Sequence, residues 1–484
     1  MRIRTFLCLL LLSAPAFADE FDAVRAFIRR QMTESQVPSI AVAVARDGRI
    51  LWEEGFGWAD REKRVAASEH TMYSMASISK PFTATGLMVL VEHKLVELDR
   101  PVNQYLGNAK LRARVGNADD ATVRRVANHS SGLPLHYQFF YADEPYRPPS
   151  MDETILRYGN LVTIPGEKYE YSNLGFGILD YVIARASGAS YEDYMRQSVF
   201  LKLGLTHTSV GIGPGLEKFA AARYGQDGLP IPFYDFDHRG ASAIYASAHD
   251  LVRFALFHLK AHLPDQAAIL SDQAIDEMQK ATTSTGPRSG YGIGWATGDH
   301  PSGYHVVSHT GGMGGVATNL RLIPSEKLAV VVLSNASTGL PGRVSDEILA
   351  TLLPKWRSAS PSPPPARPGE FRAPPELVGS WTGTLSTYKS EIPLMLRVLE
   401  SGEVQAKLGS QFRTLLDSPT WENNTLSGRM TGDIGTEDAN RRPYYLQLNL
   451  KLRAKVLNGP ASAISQPGGR VGNALTQWVE LKKD

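Results

Sequence analysis

Between positions 358 and 376 the chain reads Ser-Ala-Ser-Pro-Ser-Pro-Pro-Pro-Ala-Arg-Pro-Gly and then Pro374-Pro375. Proline fixes φ and has no N–H to donate, so this run cannot join a helix or sheet interior and reads as a semi-extended linker. The rest of the 484-residue chain must therefore fold as separate bodies, as its length also predicts. Residues 19–357 read as a mixed domain and residues 377–484 as a strand-rich one.

In the first body, Ser39 to Ala45 reads as a buried strand, Asp47-Gly48 as a hairpin turn and Arg49 to Gly57 as the returning strand. Tyr304 to His309, Val316 to Ile323 and Leu328 to Ser334 read as three more. The middle is helical in pattern, over Phe82 to His93, Gly175 to Ala186, Tyr191 to Val199 and Ala248 to His258. Terminal strand groups around a helical middle predict an α/β domain with one antiparallel sheet built from both ends and an inserted helical lobe. A cleft between sheet and lobe is where a site belongs. After the linker, Ile392 to Leu399, Glu403 to Leu408, Tyr444 to Val456 and Leu475 to Leu481 are short alternating segments that predict a small all-β barrel or sandwich.

Arg2, Arg4, the apolar run Phe6 to Leu12 and Ala16-Phe17-Ala18 form a secretory leader, with cleavage expected after residue 18. The only cysteine, Cys8, lies inside it. The mature chain is thus expected to have no thiol, no disulfide and no lipid anchor by that route, as suits a periplasmic or secreted protein with a large core. Loss of the two arginines cancels the formal charge of +2. No basic excess points to nucleic acid or an anionic membrane.

Ser77-Ile78-Ser79-Lys80 stands before Pro81 and the apolar run Phe82 to Val91. Proline is tolerated near a helix start, so the helix opens close to Ser77. Unpaired N–H groups and the positive end of the dipole there favour a negative charge developing beside the hydroxyl. Lys80 lies on the same face. Enclosed in apolar surroundings it would lose its preference for the charged form, and a neutral amine could take the serine proton. A simple helix cap is the plainer alternative. Ser386-Thr387-Tyr388-Lys389 repeats the spacing but follows a strand-like Trp381-Thr382-Gly383-Thr384-Leu385 and is set aside.

Tyr171-Ser172-Asn173 falls on a loop before a helix; the phenol could relay a proton to a leaving group, and the amide could bond both Lys80 and a substrate carbonyl. As an alternative, Asn173 simply caps that helix. His309-Thr310-Gly311-Gly312 ends a predicted strand and enters a glycine-rich turn, where the Gly312 N–H could be a second oxyanion donor beside that of Ser77. A strand-end histidine bonded to a backbone carbonyl is the alternative there.

The order S-x-x-K, Y-x-N, H-T-G, each in its own context, resembles the class C β-lactamase and penicillin-binding-protein superfamily of serine hydrolases over about residues 20 to 355. Asn128-His129-Ser130-Ser131-Gly132-Leu133-Pro134, Leu98-Asp99-Arg100-Pro101-Val102, Tyr291-Gly292-Ile293-Gly294-Trp295 and Val331-Val332-Leu333-Ser334-Asn335 also resemble it and read as architecture. The resemblance implies a β-lactamase/transpeptidase-like fold, with Ser77 as nucleophile, Lys80 and Tyr171 as the proton-handling pair and Asn173 as positioner. It implies that His309, Thr310, Gly311 and Gly312 form the substrate-binding sheet edge, and it implies neither a metal nor a cofactor. Most β-lactamases of this superfamily have lysine where this chain has His309, and a largely neutral histidine holds a carboxylate less well. Gly379-Ser380-Trp381 is similar to the G-x-W opening of lipocalins; a tryptophan plugging any small barrel is the alternative.

The reading is an exported serine hydrolase forming an acyl-enzyme on Ser77 and cleaving amides or esters of small acyl groups or D-amino-acid peptides. A class C-like β-lactamase and a penicillin-binding sensor without turnover are the alternatives. The expected partner is a small-molecule or peptide substrate, selected by cleft loops such as Gln138 to Pro149 and Gly211 to Arg239; oligomeric state is left open. H-E-x-x-H, G-x-S-x-G, C-x-x-C and P-loop patterns are absent from the sequence, so metalloprotease, α/β-hydrolase, thiol and NTPase chemistry lack their residues.

Overall fold

The computed structural model describes residues 20–356, 371–468 and 470–484. The leader and residues 358–370 of the proline-rich run lie outside the described residues. An entirely antiparallel nine-stranded sheet organises the first part, with the order Thr283–Gly286, Ser289–Tyr291, Ala296–Asp299, His305–Met313, Val316–Ile323, Leu328–Ser334, Ser39–Arg46, Arg49–Asp60, Val65–Ala66. Its centre joins the two ends of the domain, Ile40 opposite Ser334 and Arg46 opposite Leu328.

Those central strands are buried on both faces, and alternation sorts their side chains. Ile40, Val42, Val44, Val330 and Val332 meet the helices Asp22–Glu34 and Leu340–Leu352, while Ala41, Ala43, Ala45, Ala329, Val331 and Leu333 meet the helical lobe. Small alanines on that inner face let the helix Ala248–His258 pack closely, with Phe254 stacked 3.9 Å from Phe82. Phe82 belongs to the helix Ser79–Glu92, whose residues from Ser79 to Leu90 are all buried between the sheet and the lobe.

The second part is one nine-stranded antiparallel sheet curled into a nearly closed barrel, ordered Thr414–Leu415, Val404–Leu408, Glu391–Val398, Gly379–Ser386, Ala474–Lys483, Val456–Ser465, Tyr444–Arg453, Thr425–Met430, Asp417–Glu422. Leu385, Leu394, Leu396, Leu446, Leu448, Leu457 and Leu481 fill its interior, and Trp381, also buried, donates its indole N–H to Leu377 O at 2.8 Å. The segment Tyr444 to Val456 is two strands, since Ala454 turns at φ +55°.

The barrel is docked onto the lobe. Tyr137 and Ala474 exchange backbone hydrogen bonds of 3.1 and 2.9 Å, Asn473 Oδ1 accepts from the Phe139 N–H, and Thr476 Oγ1 donates to Leu135 O. Buried Asp438 accepts from Tyr158 Oη and pairs with Arg157.

Candidate active site

The strand Met72–Ser74 turns into the long helix through a 3₁₀ turn, Ala76–Ile78, so Ser77 sits two residues ahead of the first residue of the α-helix proper. Ala76 adopts φ +46°, a left-handed conformation that a non-glycine residue holds only when its surroundings impose it. Three contacts fix the turn: Met75 N–H donates to Ile244 O, Thr318 Oγ1 donates to Met75 O, and Ser79 Oγ accepts from the Ile244 N–H. The second serine of the motif is thus a tether.

Lys80 is completely buried, and its Nζ lies 2.8 Å from Asn173 Oδ1, 3.2 Å from Ala241 O and 3.1 Å from Ser77 Oγ. Among the described residues no carboxylate bonds to it, and burial holds its pKa well below the ordinary lysine value. A neutral amine has two N–H groups and one lone pair. With Asn173 Oδ1 and Ala241 O taking the two hydrogens, the lone pair remains for the Ser77 hydroxyl. Tyr171 Oη donates to Ser77 Oγ at 2.8 Å, and burial pushes its pKa up, so it is a proton-bearing phenol.

Ser172, rather than Asn173, caps the helix Asn173–Ser187, accepting from the Gly175 N–H. Asn173 is thereby free to face Lys80, and among the described residues its Nδ2 has no hydrogen-bond partner in the chain.

His309 to Gly312 lie inside a strand, His305–Met313, that runs past them; the turn comes after Met313. The neighbouring strand on one side pairs only as far as Ala296 with Ser308, which leaves the edge at 309–312 open toward Ser77. Gly311 is required by packing, since a Cβ there would stand 2.3 Å from Met75 O. Gly312 faces open space.

His309 is buried and bonded at both nitrogens: Nδ1 donates to Thr310 O at 2.7 Å, so Nε2 accepts from Tyr291 Oη at 2.9 Å. Burial pushes its pKa down to about 3. The ring is neutral, with no cation at this edge. His129, at φ +62°, accepts the Ser172 N–H on Nδ1 at 3.1 Å and lies 4.3 Å from the Tyr171 ring.

Ser77, Lys80, Tyr171, Asn173 and the His309–Gly312 edge are therefore brought together, while Ser386 Oγ donates to Glu391 and Lys389 pairs with Glu437, far from any such arrangement. Sequence reasoning missed three contributors. Tyr291 and His129 stood in stretches read as architecture, and the signal was their place in those stretches; Ala241 acts through a backbone carbonyl, which leaves no mark on side-chain pattern.

A hydroxyl on a helix start, a buried amine beneath it and a sheet edge alongside define a serine hydrolase of the β-lactamase and penicillin-binding-protein superfamily. The β-lactamase family profile matches residues 24–354, and the chain belongs to that family. It is 27% identical to penicillin-binding protein 4* of Bacillus subtilis over 321 residues, 61% of this chain and 67% of that one. Protein flp of Staphylococcus aureus strain MRSA252 is 24% identical over 326 residues, with 66% and 64% covered. Unguisins hydrolase ungD' of Aspergillus campestris is 27% identical over 327 residues, with 64% and 60% covered. The chain thus spans about two thirds or less of the length of these relatives. In fold it is similar to an octameric penicillin-binding protein homologue from Pyrococcus abyssi, with a TM-score of 0.61, 23% identity and 95% and 99% of the chains covered. A class C β-lactamase gives 0.60, 21% identity and coverages of 69% and 96%.

Proposed function

We propose that the chain is an exported hydrolase that forms an acyl-enzyme on Ser77 and acts on esters or amides, D-amino-acid peptides among them, with no free carboxylate beside the scissile bond. The observation that carries this is the complete burial of Lys80 with its Nζ 3.1 Å from Ser77 Oγ, since burial favours the neutral amine, whose lone pair can take the serine proton. Lys80 takes the serine proton as Oγ bonds to the carbonyl carbon, and the N–H groups of Ser77 and Gly312 receive the oxyanion. Tyr171 gives its proton to the departing nitrogen or oxygen and regains one from the lysine. Water then repeats the sequence on the acyl-enzyme. The Asn173 amide positions lysine and substrate.

Substrate class follows from His309. Its two nitrogens are occupied and its ring is neutral, so a carboxylate placed there finds no charge partner. This disfavours carboxylated β-lactams, even though the relatives include proteins named as penicillin-binding. The leader would carry the chain out of the cytoplasm; among the described residues no helix is long and apolar enough to cross a membrane. The barrel is read as lipocalin-like from its Gly379-Ser380-Trp381 opening.

A fluorophosphonate probe followed by peptide mass spectrometry tests the nucleophile. The adduct is expected on Ser77, absent in Ser77→Ala and unchanged in Ser386→Ala; an adduct on another serine overturns the assignment. A parallel panel of a chromogenic cephalosporin, short p-nitrophenyl esters and D-amino-acid anilides tests the class, and a cephalosporin turned over faster than every other substrate would reverse it.

A further inference from the structure

Both loops singled out as cleft formers contribute to a short antiparallel ribbon, Phe139–Tyr141 against Tyr234–Phe236. Beyond its end lie His136, Asp237 and His238, all buried. One Asp237 carboxylate oxygen is 2.6 Å from His136 Nε2 and the other 2.6 Å from His238 Nδ1, and one ligand atom from each residue lies within 4.8 Å of the others. Continuing the ribbon's register by one residue sets Gln138 opposite Asp237, on the same face. Gln138 is completely buried, and among the described residues neither its Oε1 nor its Nε2 has a hydrogen-bond partner. An amide buried with both ends unpaired is costly and calls for a further group beside it. The hydrolytic steps use none of these four side chains.

We infer that this cluster is a divalent-metal site for a first-row ion of zinc type, with His136 Nε2, His238 Nδ1 and the Asp237 carboxylate as ligands and Gln138 Oε1 at the fourth position. Two imidazoles and one carboxylate suit such an ion, whereas calcium and magnesium prefer all-oxygen sets. Bonds of about 2.0–2.1 Å place tetrahedral ligand atoms about 3.3 Å apart. Loading therefore opens each histidine–carboxylate contact by under about 1 Å, and His136 then carries its ring proton on Nδ1, which has no partner among the described residues. Because all three charged or imidazole ligands are buried, the site is closed and structural. His136 adjoins Tyr137, which pairs with the barrel, and His238 precedes the turn whose Ala241 O holds Lys80. The ion ties the barrel contact to the wall of the lysine pocket.

The test uses the full chain, purified without a metal-affinity tag or chelator, and its metal content read by inductively coupled plasma mass spectrometry. Close to one equivalent of a first-row metal is expected. After stripping with dipicolinate, zinc should raise the melting temperature where magnesium and calcium do not, and cobalt should give the visible bands of a tetrahedral N/O site. Asp237→Asn and His136→Gln should each weaken zinc binding by more than the roughly 10–100-fold cost of losing an outer-shell partner. Should those variants fail to fold, Gln138→Leu, which removes only the amide ligand, should shift the cobalt bands of a folded protein. Less than about a tenth of an equivalent with no melting shift for any ion overturns the site and leaves a metal-free His–Asp–His hydrogen-bond chain. Undiminished zinc binding in folded Asp237→Asn, or unshifted cobalt bands in Gln138→Leu, overturns the ligand set.

Discussion

Three oxygen atoms surround Lys80 Nζ, and the protonation state decides whether the third contact donates or receives. Burial favours the neutral amine, and this carries a signature in stability. Between the lowered native pKa and the ordinary value of 10.5, the unfolded chain holds a proton that the native chain lacks. Native stability must therefore rise with pH, by up to about 1.4 kcal/mol per unit, and level off above the unfolded pKa. Lys80→Met should remove that slope. Denaturant unfolding of both proteins between about pH 8 and pH 10 measures the difference, and a flat difference would mean a charged native lysine. The same variant, like Tyr171→Phe, should lower kcat by at least about 100-fold. At His309 the expectation concerns substrate preference. His309→Lys should improve KM for carboxylated substrates, because an ammonium stabilises ground and transition states alike, and added salt should shrink the gain. If KM for a carboxylated substrate did not move, the edge would not be where the carboxylate lies.

Among elements, the loop entering the helix Asn173–Ser187 owes its shape to two acceptors, Ser172 Oγ for the Gly175 N–H and His129 Nδ1 for the Ser172 N–H. Together they turn Tyr171 and Asn173 toward the serine. His129→Phe keeps a ring against Tyr171 but strands a buried N–H, at a cost of about 1–3 kcal/mol. Denaturant midpoints should show that loss, with kcat falling while KM changes little. An unaltered midpoint would show that the N–H finds another acceptor. Element boundaries were legible where pattern and packing agree: Val316–Ile323, Leu328–Ser334 and Ala248–His258 match the sequence reading. The strands Thr283–Gly286, Ser289–Tyr291 and Ala296–Asp299 were not, because they are short, rich in glycine and polar residues, and gain their order from a neighbour already in place.

For the molecule as a whole, the proline-rich run suggested two independent bodies, yet the barrel completes hydrogen bonds that the lobe needs. A chain ending at Trp356 would expose Tyr137 and Phe139 and leave the Phe139 N–H without Asn473. Its melting temperature should fall by about 2–4 °C for each kcal/mol lost, and its turnover should fall with it. Equal stability and activity in the truncated chain would show that the docking is dispensable.

Local chemistry made some features readable from sequence alone. Proline after Lys80 places a helix start nearby, the apolar run Ser39 to Ala45 marks a buried strand, and the proline-rich run carries the expectation of a linker between two domains. Those are short-range constraints, set by φ, by missing N–H groups and by side-chain period. Which groups meet around Ser77 is a long-range matter. Lys80 and Asn173 are 93 residues apart, Lys80 and Ala241 are 161 apart, and Ser39 takes its N–H acceptor from Asn335, 296 residues away. Only packing brings them within hydrogen-bond reach, and only burial, a property of the folded whole, pushes the lysine pKa down and keeps the histidine neutral.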